Sequence, residues 1–339
     1  MIKEAIDLIV KGNSLSMEQA GEVMTEIMEG KATPAQFGSF VTALRLKGET
    51  VEEIAGMAKV MREKALPVKV SGNVVDTCGT GGDASKTFNI STTGAFVVAG
   101  AGLKVAKHGN RGMSSGCGSA DVLDALGVKI ELGPHEVERC LEEIGIGFMF
   151  AQTFHPAMKY AAPSRREIGI RTVFNILGPM TNPAGAQAQL LGVFDEELTL
   201  KMAQVLSLLD CKHALVVHGE DGLDEVTLGG RTTVCELKGG EVSRYHIEPG
   251  DFGMSTTELS KLRGGPPQEN ADILRRVLRG EKGPYRDIVL VNSAAALVAG
   301  DMANDLGEGT RMAAMSIDNG KALGKLEGLI ALTRELQPA

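Results

Sequence analysis

The chain has no tryptophan, and aromatic residues make up only 4% of its 339 residues. It also has no excess of positive charge, because 35 basic residues stand against 43 acidic ones and leave a formal net charge of −8. A nucleic-acid-binding surface needs a strongly basic face, so this balance argues against one. With so few aromatic rings, we expect Ala, Val, Leu and Met to fill the interior.

Long apolar runs are missing as well. No stretch is long enough and free enough of charge to span a membrane, and Lys3, Glu4 and Asp7 interrupt the beginning of the chain where a signal peptide would be apolar. The five cysteines are odd in number and form no C-x-x-C pair, which favours reduced thiols. We therefore expect a soluble cytoplasmic protein that binds neither nucleic acid nor membrane.

Glycine, by contrast, is abundant and clustered. In the segment 76–92, DTCGTGGDASKTFNIST, an apolar strand that includes Val74 and Val75 breaks at a run of glycines, and an apolar helix follows around 93–98. Such a loop can turn its amides toward an oxyanion, and the helix N-terminus adds its positive dipole end. The alternative reading is a tight turn whose glycines serve packing only. Hydroxyl donors nearby are Thr80, Ser85, Thr87, Ser91 and Thr92.

Two familiar phosphate motifs fit this loop poorly. Gly79, Gly81 and Ala84 satisfy G-x-G-x-x-[GA], but a dinucleotide site also needs an acidic residue about 20 positions further on. The chain has AGLKVAKHG there, with no acid. Ser85 stands where a P-loop would place a glycine before its lysine. Neither NAD nor a simple nucleoside triphosphate is predicted.

A second cluster, KHGNRGMSSGCGSAD, occupies residues 107–121. It follows an apolar run at 102–106 that predicts a buried parallel strand ending at Lys107. In open α/β sheets the carboxyl ends of strands face the ligand crevice. Seven polar residues precede a predicted helix at 120–126, and although each alone could be solvated, together they suit a ligand with several phosphates. They are Lys107, His108, Asn110, Arg111, Ser114, Ser115 and Ser119.

An acidic loop follows a third predicted strand, HALVVHG at 213–219. Glu220, Asp221, Asp224 and Glu225 place four carboxylates within six residues. Oxygen ligands of this kind suit Mg²⁺, which commonly bridges one or two carboxylates to substrate phosphates. An acidic loop alone is usually solvated surface. The pairing with a polyphosphate site favours the metal.

The first 66 residues are strongly helical. Capping boxes at Ser16–Gln19, Thr33–Gln36 and Thr50–Glu53 each open an amphipathic stretch that ends at glycine or proline. The sequence thus predicts a four-helix N-terminal domain, followed by an α/β domain that begins near Gly72.

These blocks, taken with GFMFAQTFHPAMKYAAPSRREIGIRTVFNILGPMTNP at 147–183 and HGEDGLDEVTLGG at 218–230, resemble the anthranilate phosphoribosyltransferase family of tryptophan biosynthesis. The match spans most of the chain in family order. One departure is Gly116-Cys117, where many relatives would carry a basic residue and a serine, and this removes one possible phosphate contact.

The resemblance implies a fold and a domain division. We expect an α/β protein of the nucleoside phosphorylase and class III glycosyltransferase type, with a small helical domain and a larger α/β domain around a mainly parallel sheet. The helical domain would comprise residues 1–71, with about 155–190 folding back onto it, and the α/β domain 72–154 and 191–339. It also implies a homodimer through the helical domain.

The resemblance implies further that the chain transfers phosphoribose from 5-phosphoribosyl 1-pyrophosphate to the amine of anthranilate, with Mg²⁺ as cofactor. Ser91, Asp224 and Glu225 would hold the metal. Contacts to the donor would come from Gly79, Gly82, Asp83, Thr87, Asn89, Ile90, Ser91, Thr92, Lys107, His108, Gly109, Asn110, Arg111, Gly112, Met113, Ser114, Ser115 and Ser119.

The acceptor's carboxylate needs a cation of its own. Arg165, Arg166 and Arg171 lie near Pro163, and a guanidinium can grip a carboxylate through two hydrogen bonds. The resemblance places the anthranilate contacts at Arg165, Asn110 and Gly79, so we expect the other two arginines to form structural ion pairs. We expect fixed amides, Lys107 and Mg²⁺ to stabilise the leaving pyrophosphate, and name no general base.

Two other classes remain as alternatives. A pyrimidine-nucleoside phosphorylase shares the general architecture, but it has no need of magnesium at a pyrophosphate and lacks the KHGNR pattern. A nucleic-acid-binding relative of the same fold would show a basic face, whereas the cations here cluster near the glycine loops.

Overall fold

The computed structural model describes residues 1–83, 85–112 and 116–336. It opens with the predicted bundle of four helices: α1 (Ile2–Val10), α2 (Met17–Met28), α3 (Pro34–Lys47) and α4 (Val51–Glu63). The capping boxes that begin α2, α3 and α4 are confirmed. At α3, for example, Thr33 Oγ1 accepts from the Gln36 amide at 3.2 Å while Gln36 Oε1 accepts from the Thr33 amide at 2.9 Å.

A seven-stranded sheet forms the centre of the larger part of the chain, with strand order β3-β2-β1-β4-β5-β6-β7. Neighbours from β3 through β5 run parallel, and β6 and β7 extend the sheet in antiparallel fashion. The mainly parallel sheet agrees with the sequence prediction. The strands are β1 (Val74–Gly79), β2 (Lys104–Gly109), β3 (Ile146–Phe150), β4 (Ala188–Gly192), β5 (His213–Gly219), β6 (Thr232–Lys238) and β7 (Glu241–Ile247).

Helices and short 3-10 turns connect and flank the strands. The 3-10 turns span Pro156–Tyr160, Gly178–Met180, Pro249–Phe252 and Leu259–Leu262. The further helices are α5 (Ile90–Ala101), α6 (Ser119–Leu126), α7 (Pro134–Glu143), α8 (Ala151–Phe154), α9 (Ala162–Ile168), α10 (Phe174–Leu177), α11 (Glu197–Leu208), α12 (Pro267–Leu278), α13 (Pro284–Ala299), α14 (Leu306–Asp318) and α15 (Lys321–Leu336). None of the helices in the described ranges is long and apolar enough to cross a bilayer.

The two faces of the sheet pack into two different cores, as the alternation of side chains along a strand requires. Leu190 and Leu215 point into a core shared with α5 and α13. Their neighbours Leu191 and Ala214 point the other way, into a core shared with α11 and the N-terminal bundle. One face of the sheet therefore carries the helical bundle.

The segment between β3 and β4 also packs against the bundle. Val173, Phe174 and Leu177 belong to the bundle's core, and the rings of Phe174 and Phe37 lie 5.4 Å apart. From α4, Arg62 donates to the carbonyl of Met180 at 2.6 Å and to that of Leu209 at 3.0 Å. The bundle is thus pinned to this segment and to the end of α11.

Candidate active site

The strand order reverses between β1 and β4. The chain runs from β1 to β2 on one side, and β4 then pairs with β1 on the other side, with Gly79 opposite Gly192 at the carboxyl ends. In open parallel sheets, ligands bind in the crevice outside the strand ends at such a reversal. The predicted glycine loop leaves β1 at this point.

Glycines at these strand ends let the acidic loop lie directly across them. A Cβ on Gly79 would stand 2.4 Å from Asp224 Oδ2, and one on Gly192 would stand 1.6 Å from the Asp224 carbonyl oxygen. Any larger residue at either position would therefore collide with the acidic loop. The close approach lets Asp224 Oδ2 accept a hydrogen bond from the Gly81 amide at 2.7 Å.

Helix α5 begins directly beneath the acidic loop. Glu225 Oε1 accepts from the Ser91 amide in the first turn of α5, at 3.2 Å. Asn89 precedes that turn, where its side chain donates to the Cys117 carbonyl at 3.2 Å and accepts from Asn270 Nδ2 at 3.0 Å. The helix N-terminus, the acidic loop and the second glycine cluster consequently meet at one place.

Of the four carboxylates of the acidic loop, Asp224 and Glu225 are buried, whereas Glu220 and Asp221 are exposed. Burial, with the neighbouring charges of Asp83 and Glu225, raises the pKa of Asp224 well above its ordinary value. Burial also raises the pKa of Glu225 to about 7, although Lys107 opposes this shift. Asp83 Oδ2 is buried without a hydrogen-bond partner among the described residues. A cation here would relieve the repulsion and desolvation that these pKa shifts report.

This donor set fits magnesium. Within the described ranges, no three His, Cys, Asp or Glu side chains lie close enough to form a metal cage from protein groups alone. Mg²⁺ does not require such a cage, since it keeps several waters and uses one or two carboxylates together with substrate phosphates. Asp224 and Glu225 supply the carboxylates, and the Ser91 hydroxyl hydrogen-bonds to Glu225.

Lys107 is not presented to the crevice in this structure. Its side chain is only 3% exposed, and its ammonium donates to the carbonyl of Thr77 in β1. Burial lowers the pKa of Lys107, while Asp76 and Glu225 favour its charged form. The sequence predicts a crevice-facing lysine because Lys107 stands near the strand end, but both faces of β2 are covered and the side chain is buried. The charge of Lys107 therefore acts on the site from the interior of the sheet, through its interaction with Asp76 and Glu225.

The second loop is organised by acids of α6. Asp121 accepts hydrogen bonds from the amides of Gly112 and Gly118 at 2.8 and 2.9 Å. Arg111 pairs with Asp121 at 3.0 Å and with Asp124 at 3.3 Å. Its guanidinium is therefore held by α6, whereas the sequence reading counted it as a phosphate contact.

Arg165 lies on α9, in the segment that packs against the helical bundle. Burial lowers its pKa, its Nη2 donates to the Phe174 carbonyl at 3.4 Å, and its guanidinium carbon stands 5.1 Å from the centre of the Phe174 ring. No carboxylate pairs with it among the residues that the structure describes. A partly desolvated guanidinium without an anionic partner is suited to a ligand carboxylate.

Two histidines are in contact where β2 meets the segment that joins β3 to β4: His108 belongs to β2 and His155 to that segment. The rings of His108 and His155 are 5.0 Å apart. Burial lowers the pKa of His108 to about 3 and that of His155 to about 4, so both are neutral at pH 7. Each ring has a buried Nε2 without a described partner, which leaves it as an acceptor on this wall of the crevice.

Comparison with known proteins places the chain in a family. A model described as "Glycosyl transferase family, a/b domain" matches residues 71–323, and one described as "Glycosyl transferase family, helical bundle domain" matches residues 3–65. Anthranilate phosphoribosyltransferase of Dehalococcoides mccartyi is 58% identical over 338 residues, 99% of each chain. The chain belongs to the anthranilate phosphoribosyltransferase family.

Solved structures of this family superpose closely. The anthranilate phosphoribosyltransferase of Thermus thermophilus matches with a TM-score of 0.93 and 45% identity, covering 97% of this chain and 99% of that one. The Saccharomyces cerevisiae enzyme in complex with PRPP and Mg matches with a TM-score of 0.91 and 30% identity, covering 98% of both chains. The family and the fold class read from the sequence blocks are thereby confirmed.

The structure brings most of the predicted site residues of this anthranilate phosphoribosyltransferase relative to one end of the sheet. The acidic pair and Arg165 lie as described above, and Met113, Ser114 and Ser115 lie outside the described residues. The donor set otherwise occupies the end of β1 and its loop, the start of α5, the end of β2 and its loop, and the start of α6: Gly79, Gly82, Asp83, Thr87, Asn89, Ile90, Ser91, Thr92, Lys107, His108, Gly109, Asn110, Arg111, Gly112 and Ser119.

Sequence reasoning missed residues that support the site from behind. Asp76 is fully buried, accepts from the His108 amide at 3.3 Å and from Asn182 Nδ2 at 2.7 Å, and faces Lys107. Gly192 ends β4 opposite Gly79 and opens the space for Asp224. Asp76 and Asn182 lie within the sequence segments that carry the family resemblance, but their spacing in the chain does not predict that their side chains form a hydrogen bond.

Proposed function

We propose that this protein transfers the phosphoribosyl group of 5-phosphoribosyl 1-pyrophosphate to the amine of anthranilate, giving N-(5-phosphoribosyl)anthranilate and pyrophosphate in tryptophan biosynthesis. The observation that carries the proposal is the hydrogen bond between the first glycine loop and the acidic loop, from the Gly81 amide to Asp224 Oδ2 at 2.7 Å. It joins a phosphate-type glycine loop to a buried acidic pair that fits Mg²⁺.

The donor would lie along the two glycine loops and the start of α5. The Gly81 and Ser91 amides donate to Asp224 and Glu225, so the positive end of the α5 dipole would attract the pyrophosphate oxygens. Asp224, Glu225 and Ser91 would hold the metal. When bound, Mg²⁺ neutralises charge on the pyrophosphate and thereby makes it a better leaving group.

The chain's own groups would favour bond breaking by electrostatics. As the bond from C1 to the pyrophosphate oxygen stretches, negative charge grows on the leaving group and the ribose gains oxocarbenium character. Fixed backbone amides and the buried charge of Lys107 are in place before the reaction, so they need no reorganisation. The amine of anthranilate is weakly basic and attacks C1 as a neutral nucleophile, losing its proton afterwards.

The acceptor would lie between the glycine loop and α9. Arg165 would hold its carboxylate, with Asn110 and Gly79 along the path to the donor. Since Arg165 packs on the helical bundle and the loops extend from the sheet, closure of this cleft would align the two substrates and exclude water that could hydrolyse the donor.

Fluorescence provides the direct test. Anthranilate fluoresces, and the protein has no tryptophan to interfere. We expect signal loss only when enzyme, 5-phosphoribosyl 1-pyrophosphate and Mg²⁺ are all present, and EDTA should stop it. An unchanged signal, together with phosphate-dependent cleavage of uridine or thymidine, would instead identify a nucleoside phosphorylase.

We further propose the predicted domain division, a homodimer through the helical domain and a cytoplasmic location. Exposed apolar side chains on the bundle support the dimer: Leu46 of α3 is 83% exposed and Val10 of α1 is 70% exposed. We expect sedimentation to give twice the chain mass of 35.7 kDa, and Leu46→Asp to shift the protein toward monomer. A wild-type monomer would refute the dimer.

A further inference from the structure

Arg171 has a place in the structure that its sequence did not suggest. The predicted structural ion pairs of Arg166 and Arg171 are not seen among the residues that the structure describes. The Arg171 guanidinium instead donates to the carbonyl of Gly82, 89 residues away in the chain. Its guanidinium carbon also lies 4.6 Å from the centre of the Phe194 ring.

The contact falls on the middle of the glycine loop. The start of the loop is held by the acidic loop through Gly81 and Asp224, and its end is held where Phe88 donates to the Leu262 carbonyl at 3.2 Å. Both of those attachments belong to the α/β part of the chain. Among the described residues, Arg171 is the donor to the Gly82 carbonyl.

Arg171 itself is anchored on the other side of the cleft. The next two residues, Thr172 and Val173, are buried, and Thr172 donates its amide to Asn175 Oδ1 at 2.9 Å. Phe174 then packs on Phe37 of the bundle and supports Arg165. The same short segment therefore carries the proposed acceptor arginine and the arginine that reaches the donor loop.

Phe194 completes the connection. Its amide donates to Thr80 Oγ1 at 3.2 Å, and the Thr80 amide donates to the Gly192 carbonyl at 2.9 Å. The residue whose ring contacts Arg171 is thus bonded to the glycine loop through its backbone amide. A guanidinium held by a ring and a carbonyl has a fixed direction, which a lysine ammonium would lack.

We propose that Arg171 is a positioning residue that couples the two substrate subsites, by tying the donor's glycine loop to the segment that carries Arg165. The inference rests on the proposed function. When the donor binds and orders the glycine loop, Arg171 would favour the position of Arg165 that binds the acceptor, so the donor would raise the affinity for the acceptor. By linkage, the acceptor would raise the affinity for the donor by the same factor.

Two measurements test this on the full-length wild-type protein and Arg171→Ala. The first is a steady-state matrix of anthranilate against 5-phosphoribosyl 1-pyrophosphate at fixed excess Mg²⁺, which yields the factor by which each substrate lowers the other's apparent dissociation constant. We expect a factor of about five or more in wild type and a factor near one in the variant. The second is hydrogen exchange of amides 79–83 without ligands, which should be faster in Arg171→Ala.

Three variants separate coupling from general damage. Arg166→Ala removes the same charge from an exposed neighbouring position without a side-chain hydrogen bond or ion pair in the described ranges, and should retain the wild-type factor. Arg171→Lys and Phe194→Leu keep part of the connection and should give intermediate factors. Arg171 is exposed, so its removal should leave the thermal midpoint close to that of wild type.

The outcomes are distinguishable. An active wild-type enzyme whose Arg171→Ala variant keeps the same factor and the same exchange at 79–83 would overturn the inference alone. An active wild type with a factor of one would overturn it too, since there would be no coupling to transmit. A wild type that releases no pyrophosphate would overturn the proposed function and the inference with it.

Discussion

Arg165 is the residue whose surroundings most directly suggest a ligand. It is partly desolvated, lies against Phe174, and has no carboxylate partner among the described side chains. Partial burial of a charge that has no counter-ion costs stability, which a bound carboxylate would offset. Asp224 and Glu225 present the opposite case, because the two acids are buried side by side and burial raises the pKa of both.

Replacing Arg165 tests the acceptor site. We expect Arg165→Ala to raise the Michaelis constant for anthranilate roughly 30-fold, equivalent to about 2 kcal/mol, with little change in that for the donor. A charged hydrogen bond to the acceptor's carboxylate would be lost, while the glycine loops stay intact. Arg166→Ala is the matched control. Equal effects on both substrates would remove Arg165 from the acceptor site.

The acidic pair tests the metal site. We expect Asp224→Asn combined with Glu225→Gln to abolish turnover, while the folded protein persists, because the neutral amides fill the same volume without burying charge. Loss of Mg²⁺-dependent binding of 5-phosphoribosyl 1-pyrophosphate, measured by calorimetry, should accompany it. Near-normal turnover at limiting Mg²⁺ would refute the assignment.

At the scale of the element, the sequence pattern predicts a helix start correctly where the hydrogen bonds that form it join residues close together in the chain. The residue spacing predicts capping boxes at Ser16, Thr33 and Thr50, and the three helices begin directly after these residues. The strand HALVVHG was read correctly as well. The apolar run at 102–106 predicts a strand that ends at Lys107, whereas β2 runs over Lys104–Gly109, because pairing with β3 extends it past the apolar run.

The contacts between helices and strands that are distant in the chain could not be predicted from sequence patterns. Both faces of β2 are covered, and the Lys107 ammonium is directed by its hydrogen bond to the Thr77 carbonyl, 30 positions away in the chain. The pairing of Asp76 with Asn182 spans 106 positions, and that of Gly82 with Arg171 spans 89. Composition and spacing carry no information about either meeting.

A cap in the bundle gives a prediction that is independent of the active site. We expect Thr33→Ala to lower the free energy of unfolding by about 1 kcal/mol, because the Gln36 amide loses its acceptor. Thr33→Ser keeps the hydroxyl and should behave like wild type. Urea titration of both variants measures the difference. Turnover should be unchanged, and a loss of activity in Thr33→Ala would show that the bundle's first turns affect the cleft.

For the molecule as a whole, the neutral histidines at the interface of the two parts predict acid sensitivity. The pKa of His155 falls from an ordinary 6.5 to about 4 on folding, and that of His108 falls to about 3. The unfolded chain therefore binds more protons than the folded one between these values, and stability is lost as the pH falls from 6.5 toward 4.

Replacing one histidine isolates this effect. Between pH 7.5 and pH 4.5, wild type should lose about 2.5 kcal/mol more unfolding free energy than His155→Gln, which has no group to titrate there. Urea titrations at the two pH values give the comparison. Parallel losses in both proteins would mean that His155 is hydrated and titrates normally in the fold.

The space above Gly192 has a consequence for how this protein can diverge. A Cβ at position 192 would stand 1.6 Å from the Asp224 carbonyl oxygen. During evolution, a substitution of Gly192 would therefore need a simultaneous change in the path of the acidic loop. Every residue other than glycine at position 192 carries that Cβ, so single substitutions there should be rejected. New acceptor specificities should arise instead across the cleft, around Arg165, where side chains can change one at a time.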